Sequence, residues 1–532
     1  KIRNNFAIFF KEVRKIMFST ITSGAIQGVT SYLIHVEVDT AQTLPGFDMV
    51  GLLGNEVKES KERVRVALKN SGIKLPPLRI TVNLSPANIR KEGSGFDLPI
   101  AIGILASLGY IKEEYIRNIL VIGELGLDGM VKPIAGILPI VLEAKKEGYT
   151  TCLVPKPNAM EGAVVEGIHI IGVSSLQESM EYLMAGPTEK DKMIVPTKIN
   201  VQQLFQGKNE IQNLDFSHIN GQGLVKRAVE VAAAGFHHLL LIGPPGSGKT
   251  MIAKRIPTIL PPLSMEESLE VSKIYSVSGL LNAKQALIIQ RPFLNPHHTI
   301  SEYALAGGGS KPRPGVISLA HRGVLFLDEL PEFKRNTIEI MRQPMEDKEI
   351  HIARSYGTFQ YPANFQLIAA MNPCPCGYYP DLNRCNCTPF DIKRYLSRIS
   401  GPILDRIDIC VEAPKLEMKE LTREGVNESS AQIRKRVMVA RKRQEERYRG
   451  TRYQFNAELG VGDIKKYCPI GSKEQNYLEQ VFNSMNLSAR AYQKIIKVAR
   501  TIADLEDCDQ ILQIHLSEAV MYRITDSKYW ER

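Results

Sequence analysis

The sequence predicts an α/β protein of several domains, organised around a strand, a phosphate-binding loop and a helix in direct succession. Short apolar runs of strand type alternate with amphipathic helical patterns along most of the chain. One run, residues 237–242, leads directly into a glycine-rich loop and a helical pattern. Another, residues 323–327, ends in two carboxylates. At 532 residues the chain is too long for one hydrophobic core, and about three domains are expected.

The composition argues against a disulfide framework and against a membrane protein. No apolar run is long enough to span a bilayer, and eight cysteines in so long a chain are not a disulfide scaffold. We therefore expect a cytoplasmic protein with no membrane partner. The formal net charge of +10 favours polyanions such as nucleic acid, and ordinary surface charge is the alternative. Residues 1–16, which precede Met17, are interpreted as an upstream extension.

Residues 17–185 are predicted to form a first domain in which strands and helices alternate. Residues 32–38 and 79–84 have the β-rich composition of strands, whereas residues 57–70 have the periodicity of an amphipathic helix. Periodic apolar positions are few over residues 186–214, and we expect a linker there.

This first domain resembles the proteolytic domain of Lon-type proteases, a ribosomal-S5-like α/β fold, through residues 91–101 and 123–138. Active Lon proteases use a serine nucleophile and a lysine base. The resemblance places Gly95 at the nucleophile position and Leu138 at the lysine position, with Ser94 one residue out of register. Because a serine without a base is a weak nucleophile, we expect the fold without the protease chemistry.

A phosphate-binding loop of the pattern G-x-x-x-x-G-K-T follows residues 237–242. Its glycines allow backbone N–H groups and the next helix N-terminus to point at phosphate oxygens. Lys249 is placed to reach the β- and γ-phosphates, and the Thr250 hydroxyl is placed to bind Mg²⁺. The pattern therefore predicts a site for ATP and Mg²⁺. The predicted nucleotide-binding residues are Gly243, Pro244, Pro245, Gly246, Ser247, Gly248, Lys249 and Thr250.

Two adjacent carboxylates follow the apolar run at residues 323–327. Asp328 is predicted to bind Mg²⁺, and Glu329 is predicted to orient and deprotonate the attacking water. Such a pair is needed for hydrolysis and not for nucleotide binding alone. An ordinary turn at the strand end is the alternative.

Three further segments resemble elements of AAA+ ATPases. Residues 365–373 resemble the sensor-1 strand, which implies that Asn372 positions the water. Residues 398–408 resemble the arginine-finger segment of magnesium-chelatase and MCM-type proteins, which implies that Arg406 enters a neighbouring subunit's site. A later amphipathic helix resembles the AAA+ lid, with Arg490 as the sensor-2 residue that contacts the γ-phosphate.

The arginine finger has alternatives. Arg406 is also placed to form a structural salt bridge with Asp405 or Asp408. Arg398 is the second candidate for the finger.

The resemblance implies the fold class: an α/β P-loop AAA+ core over residues 215–415 with a helical lid over residues 416–532, preceded by the Lon-type domain. Ser488 is placed to cap the lid helix. Residues 434–449 are dense in Arg and Lys, which fits either contact with DNA phosphates or a solvated helix face.

An insertion over residues 290–320 is rich in glycine and proline, which forbid a long regular helix. Lys311 and Arg313 in this loop are predicted to contact DNA inside a ring. His297 and His298 are interpreted as structural or as facing nucleic acid. The sequence around them offers no carboxylate or cysteine to complete a metal site.

A second insertion, residues 349–361, is predicted to be a β-hairpin that turns at residues 356–357. It precedes the sensor strand, as a hairpin does in DNA-translocating AAA+ rings. Arg354 and the aromatic Tyr356 are predicted to contact a DNA strand. A hairpin with its tip in solvent is the alternative.

Four cysteines lie close together after the sensor strand and suggest a small Zn²⁺ site. A plain turn with reduced thiols is the alternative. The candidate ligands are Cys374, Cys376, Cys385 and Cys387.

Taken together, residues 291–315, 323–333 and 372–408 resemble the ComM/YifB group of magnesium-chelatase-like AAA+ ATPases. The resemblance implies a hexameric homo-oligomeric ring that binds single-stranded or branched DNA. Studied members of the group are branch-migration helicases in recombination during natural transformation. A magnesium-chelatase-like protein-remodelling or metal-insertion ATPase is the second hypothesis, and an ATP-dependent protease is the third.

Overall fold

The computed structural model describes residues 18–206, 214–281, 285–355, 357–415, 427–485 and 487–530. The chain forms two compact units. Unit 1 takes in residues 1–207 together with 268–288, and unit 2 takes in residues 208–267 and 289–532. No helix of the described residues is both long and apolar enough to cross a membrane.

Unit 1 is built on a seven-stranded mixed sheet of order β3-β4-β2-β1-β5-β8-β9, with a separate small ribbon of β6 and β7. The pairs β1–β2 and β2–β4 are antiparallel, whereas β5, β8 and β9 are parallel. The strands are β1 (Phe18–Gln27), β2 (Thr30–Ala41), β3 (Gly46–Val50), β4 (Arg79–Ser85), β5 (Ile119–Val121), β6 (Glu124–Leu125), β7 (Val131–Lys132), β8 (Thr151–Pro155) and β9 (His169–Val173).

The helices of unit 1 cover this sheet. The helix Asn55–Asn70 buries Val57, Val64 and Leu68 on one face, as its periodicity predicts. The helix Asp97–Ser107 is buried along its whole length. Two helices lie within the predicted linker and begin at Pro187 and Val201. The helices are Asn55–Asn70, Asp97–Ser107, Ile137–Lys146, Ala159–Gly162, Leu176–Met184, Pro187–Met193 and Val201–Gln206.

The chain leaves unit 2 after residue 267 and returns to it at residue 289. The intervening residues pack in unit 1, where Ser276 Oγ donates a 2.5 Å hydrogen bond to the Glu161 carboxylate. The Gly136 N–H donates to the Ser276 carbonyl at 3.0 Å. The sequence pattern did not predict that residues 268–288 belong to unit 1.

Unit 2 contains a five-stranded parallel sheet of order β11-β14-β17-β10-β18. Its central strands are buried and therefore read as continuous apolar runs in the sequence. Two short antiparallel pairs, β12–β13 and β15–β16, lie outside the sheet. The strands are β10 (Leu239–Ile242), β11 (Phe293–Leu294), β12 (Gly307–Gly308), β13 (Arg313–Pro314), β14 (Val324–Leu327), β15 (Glu349–Arg354), β16 (Gly357–Pro362), β17 (Gln366–Met371) and β18 (Ile409–Glu412).

Helices follow the strands of unit 2 and form its C-terminal part. The helix Met265–Val277 begins in unit 2 and continues into unit 1. The Ser488 side chain caps the helix Ala489–Leu505, as predicted. The other helices of unit 2 are Gly223–Gly235, Lys249–Ala253, Glu302–Ala306, Val316–Leu319, Arg335–Glu339, Arg342–Asp347, Pro389–Leu396, Gly401–Leu404, Ser430–Arg447, Val461–Tyr467, Ser472–Ser484 and Gln513–Trp530.

The basic helix Ser430–Arg447 has internal partners for much of its charge. Arg436 pairs with Glu230 and Glu428. Arg447 pairs with the buried Asp504 at 2.5 Å. Such pairing favours a structural role for these arginines over contact with DNA.

Candidate functional site

The carboxyl ends of three neighbouring strands bring the predicted nucleotide residues together. β17 lies between β10 and β14 in the sheet, in parallel register. The phosphate loop follows β10, two carboxylates follow β14, and Asn372 follows β17. Because parallel strands end at the same edge, these groups meet at one site.

The phosphate loop has the backbone that its glycines were expected to permit. Gly246 and Gly248 have φ angles of +77° and +84°, a region that favours glycine. At Gly243 a β-carbon would lie 2.2 Å from the carbonyl oxygen of Ala413, so only glycine fits. A β-carbon on Gly246 would meet nothing within 4 Å, and the loop is therefore open on that side.

Lys249 is largely buried and holds its ammonium among neutral oxygens. Nζ donates to the carbonyls of Gly243 and Pro244 at 2.7 and 2.9 Å, and to Asn372 Oδ1 at 3.2 Å. Burial lowers the pKa of Lys249 to about 8, although the negative charges of Asp328 and Glu329 oppose this shift. A cation that burial destabilises in this way fits a site for an anion, and the loop geometry fits a phosphate group.

The ligands expected for Mg²⁺ lie beside this loop. Thr250 Oγ1 donates a 2.6 Å hydrogen bond to Asp328 Oδ2, and the Glu329 N–H donates to Asp328 Oδ1 at 3.1 Å. A hydroxyl and a carboxylate are oxygen ligands of the kind that Mg²⁺ prefers. The pair therefore fits the ion that the sequence predicted.

Glu329 has an unusual backbone and an exposed carboxylate. Its φ of +53° is uncommon for a residue with a side chain, and such outliers cluster at functional sites. The side chain is 59% exposed, so water has access to it.

His298 lies next to Glu329, with 3.8 Å between Nδ1 and Oε2. The sequence around the histidine pair did not reveal this carboxylate. The carboxylate comes from β14, which pairs with β11, the strand before the histidines. No other His, Cys, Asp or Glu of the described residues joins them in a metal-binding group.

Arg406 and Arg490 meet at the carboxylate of Glu346. Arg406 is 11% exposed, and its Nη2 lies 2.5 Å from Glu346 Oε1. Arg490 is 61% exposed and lies 3.9 Å from the same oxygen and 3.8 Å from Asp405. The alternative prediction, an ion pair of Arg406 with Asp405 or Asp408, named the wrong partner, because Arg406 pairs with Glu346. Arg406 Nη1 also donates to the Pro402 carbonyl at 2.7 Å, and among the described residues no hydrogen bond or ion pair joins either arginine to the phosphate loop.

The other candidate and partner residues are also engaged in ion pairs. Arg398, the second candidate for the finger, pairs with Glu332 at 3.0 Å. Asp408 pairs with Lys494 at 3.3 Å.

The two insertions contact each other. Arg354 Nε donates to the Gly309 carbonyl at 3.1 Å, and the Tyr361 hydroxyl donates to the Pro312 carbonyl at 2.8 Å. The hairpin β15–β16 is thus packed against β12–β13, and Lys311 and Arg313 are exposed. The predicted contact residue Tyr356 lies outside the described residues.

The four cysteines predicted as zinc ligands lie together, and we call them the cysteine cluster. Their thiol sulfurs all lie within 4.8 Å of one another. The members are Cys374, Cys376, Cys385 and Cys387.

Comparison with known proteins decides the family. Residues 215–421 match the model described as magnesium chelatase, subunit ChlI, and residues 36–158 match that of subunit ChlI of Mg-chelatase. Residues 427–523 match the model of the subunit's C-terminal part. The competence protein ComM of Haemophilus influenzae is 43% identical over 94% of this chain and 97% of its own. The YifB protein of Escherichia coli is 43% identical over 96% of this chain and 97% of its own.

The chain belongs to the ComM/YifB family of magnesium-chelatase-like proteins. Membership of this AAA+ family indicates ATPase activity, and it implies ATP and Mg²⁺ at the site described above.

Unit 1 of this ComM/YifB protein has the partial similarity to Lon that its motifs indicated. Lon protease 2 of Bacillus subtilis is 27% identical over 30% of this chain and 31% of its own. Leu138 is fully buried, and a β-carbon on Gly95 would lie 3.3 Å from Ile134. Ser94 Oγ donates a hydrogen bond to the Glu124 carboxylate.

Sequence reasoning missed His298 and Glu346 as parts of the site. A signal for His298 was present, because the histidines follow a short strand beside β14 and so lie at the same sheet edge. Glu346 carried no such signal, since its contact with Arg406 depends on how helices pack.

Proposed function

We propose that this protein is a ring-forming ATPase that uses ATP hydrolysis to move along DNA. It would act as a helicase or branch-migration factor in recombination during natural transformation. The convergence of the phosphate loop, Asp328, Glu329 and Asn372 at one sheet edge carries the ATPase part of this proposal. The similar Haemophilus protein ComM is a competence protein, which supports the cellular role.

In this proposal each residue of the nucleotide site has a distinct task. Lys249 exchanges its neutral oxygens for the β- and γ-phosphates, while Thr250 and Asp328 hold Mg²⁺. The bound ion supplies neutralisation of phosphate charge. Glu329 orients the attacking water and accepts its proton.

His298 restricts the orientation of Glu329, and Asn372 restricts the position of the attacking water. His298, close to the Glu329 carboxylate, limits the directions in which that carboxylate can point. Asn372 accepts from Lys249 through Oδ1, which leaves its amide nitrogen to donate to the water.

Arg406 and Arg490 act together on a neighbouring subunit's nucleotide. Both contact Glu346 rather than their own phosphate loop, which supports a role across a subunit interface for each. In the ring, which we propose to be hexameric, Arg406 exchanges Glu346 for the γ-phosphate and stabilises its developing charge.

The packed insertions carry the DNA part of the proposal. The hairpin β15–β16 supports the loop that exposes Lys311 and Arg313, and two adjacent cations suit a phosphate backbone. Arg354 braces this loop through Gly309, and Tyr356 is proposed to stack on a base.

Strand displacement tests this function. Wild-type protein with ATP is expected to separate forked or branched DNA at moderate salt, and Glu329→Gln is expected to bind the same DNA without separating it. If the protein bound neither forked nor branched DNA, the proposal of a DNA motor would be contradicted.

A magnesium-chelatase-like remodelling or metal-insertion ATPase is the second candidate. The descriptions of the matching family models favour it. It predicts that a partner protein, and not DNA, stimulates ATP hydrolysis.

A further inference from the structure

We propose that the cysteine cluster binds one Zn²⁺ ion and that this ion holds the loop after β17 against the phosphate loop. Zinc binding is independent of the proposed function. The effect of the ion on the position of this loop rests on the proposed ATPase activity.

The spacing of the thiols fits a tetrahedral ion. The Cys374 and Cys376 sulfurs lie 3.3 Å apart, Cys374 and Cys385 lie 3.8 Å apart, and Cys376 and Cys385 lie 3.5 Å apart. Zinc–sulfur bonds of ~2.3 Å in a tetrahedron place neighbouring sulfurs about 3.8 Å apart. A disulfide requires ~2.05 Å. The sulfurs therefore surround a point and do not form bonded pairs.

The donor set is soft and partly shielded from water. Four thiolates without a carboxylate or imidazole select zinc or iron over magnesium or calcium. Cys374 is buried, and the other three are half-buried. The Tyr379 N–H lies 3.4 Å from Cys374 Sγ and donates to it, a backbone contact that stabilises a thiolate ligand.

Turns and an aromatic contact order the loop between the cysteine pairs, which has no apolar core of its own. It consists of turns, closed by bonds such as Gly377 N–H to the Cys374 carbonyl and Cys385 N–H to the Asp381 carbonyl. Leu382 is 83% exposed, and Tyr379 contacts Tyr529 edge-on with 6.2 Å between the ring centroids. A metal that ties both ends of such a loop supplies the folding energy that a core would otherwise supply.

The same loop contacts the nucleotide site. Gly377 has a φ of +85°, and a β-carbon there would lie 2.5 Å from Pro245 of the phosphate loop and 3.8 Å from the Asn372 side chain. Asn372 in turn contacts Lys249. The metal thus fixes the approach of Gly377 to Pro245 and the position at which Asn372 meets the water.

Metal analysis of the full chain tests the site. Protein purified from cells grown with zinc is expected to hold one zinc ion per chain. Cys385→Ser/Cys387→Ser is expected to lose it, and the matched control Cys508→Ser is expected to keep it. Equal zinc in the wild type and the double variant, or iron in place of zinc, would overturn the proposal.

Cobalt substitution covers the case in which the double variant fails to fold. Wild-type protein loaded with Co²⁺ is expected to show the visible and thiolate charge-transfer bands of a tetrahedral sulfur site, and added Zn²⁺ is expected to abolish them. Absence of these bands in folded wild-type protein would overturn the proposal.

A separate variant, Gly377→Ala, tests whether the position of the loop affects catalysis. Gly377→Ala is expected to keep its zinc and to lower kcat by about 100-fold, because a displacement of about 1 Å in a reacting group has an effect of that size. The control Gly462→Ala, where a β-carbon meets nothing within 4 Å, is expected to leave kcat unchanged. Normal kcat in Gly377→Ala would refute the coupling and leave the zinc site standing. No ATPase activity in wild-type protein that holds zinc would refute the proposed function instead.

Discussion

In unit 2 the polar residues that follow β10, β14 and β17 hydrogen-bond to one another. In unit 1, by contrast, Gly95 and Leu138 stand where the resemblance to Lon-type proteases leads us to expect serine and lysine. Both units keep a buried core around their sheets. A buried core therefore persists in a unit that lacks the protease residues. Chemistry requires side chains that the core does not need, such as the strained Glu329 and the buried Lys249.

The largest expected effect concerns Arg406. Arg406→Ala is expected to lower kcat by about 1000-fold, because an arginine that stabilises γ-phosphate charge contributes at least that much. Glu346→Gln is the control, since it removes the ion pair and keeps the arginine. Steady-state kinetics measures both. An equal loss in Glu346→Gln would mean that Arg406 acts through its ion pair with Glu346 and not on the γ-phosphate.

The next effect is a pH dependence of nucleotide affinity. Lys249 without nucleotide has a pKa of about 8, and a bound phosphate raises that value. Above about pH 8, binding therefore requires uptake of a proton, and Kd rises by about tenfold per pH unit. Below about pH 7 the lysine is charged in both states and Kd is constant. Equilibrium titration measures this profile.

Lys249→Met is the control for that titration, and its weak affinity is expected to vary less steeply with pH. A wild-type Kd that stays constant from about pH 7 to about pH 9 would contradict the role of Lys249.

A smaller effect is expected on DNA affinity, and it distinguishes a variant in unit 2 from a variant in unit 1. Lys311→Ala/Arg313→Ala is expected to reduce the slope of log Kd against log salt by about 1.8, because each phosphate contact contributes about 0.9. Lys58→Ala/Lys61→Ala removes the same charge from an exposed helix face in unit 1 and is expected to leave the slope unchanged. If the two variants had equal slopes of log Kd against log salt, the first insertion would not be part of the DNA-binding site.

The smallest effect is expected in unit 1. Ser94→Ala removes the hydrogen bond to Glu124 and is expected to cost about 1 kcal/mol of stability without changing ATP hydrolysis. Thermal unfolding and an ATPase assay measure the two quantities. Casein degradation by the wild type that Ser94→Ala abolishes would show that the serine has found another base.

The sequence predicted most where a local pattern determines geometry. The phosphate loop was found by its motif and Asp328 by its place after an apolar run, whereas Asn372 was named through the resemblance to a sensor-1 strand. The cysteine cluster was found by spacing alone. The contact of His298 with Glu329 needed the strand order, and the meeting of Arg406 and Arg490 at Glu346 needed the packing of helices. The placement of residues 268–288 in unit 1 had no local signal.

The rate of ATP hydrolysis with and without DNA tests the account most directly. Single-stranded or branched DNA is expected to raise the wild-type rate, and Glu329→Gln is expected to be inactive with either DNA. A wild-type rate that DNA leaves unchanged at moderate salt would contradict the claim that the site in unit 2 drives a DNA motor.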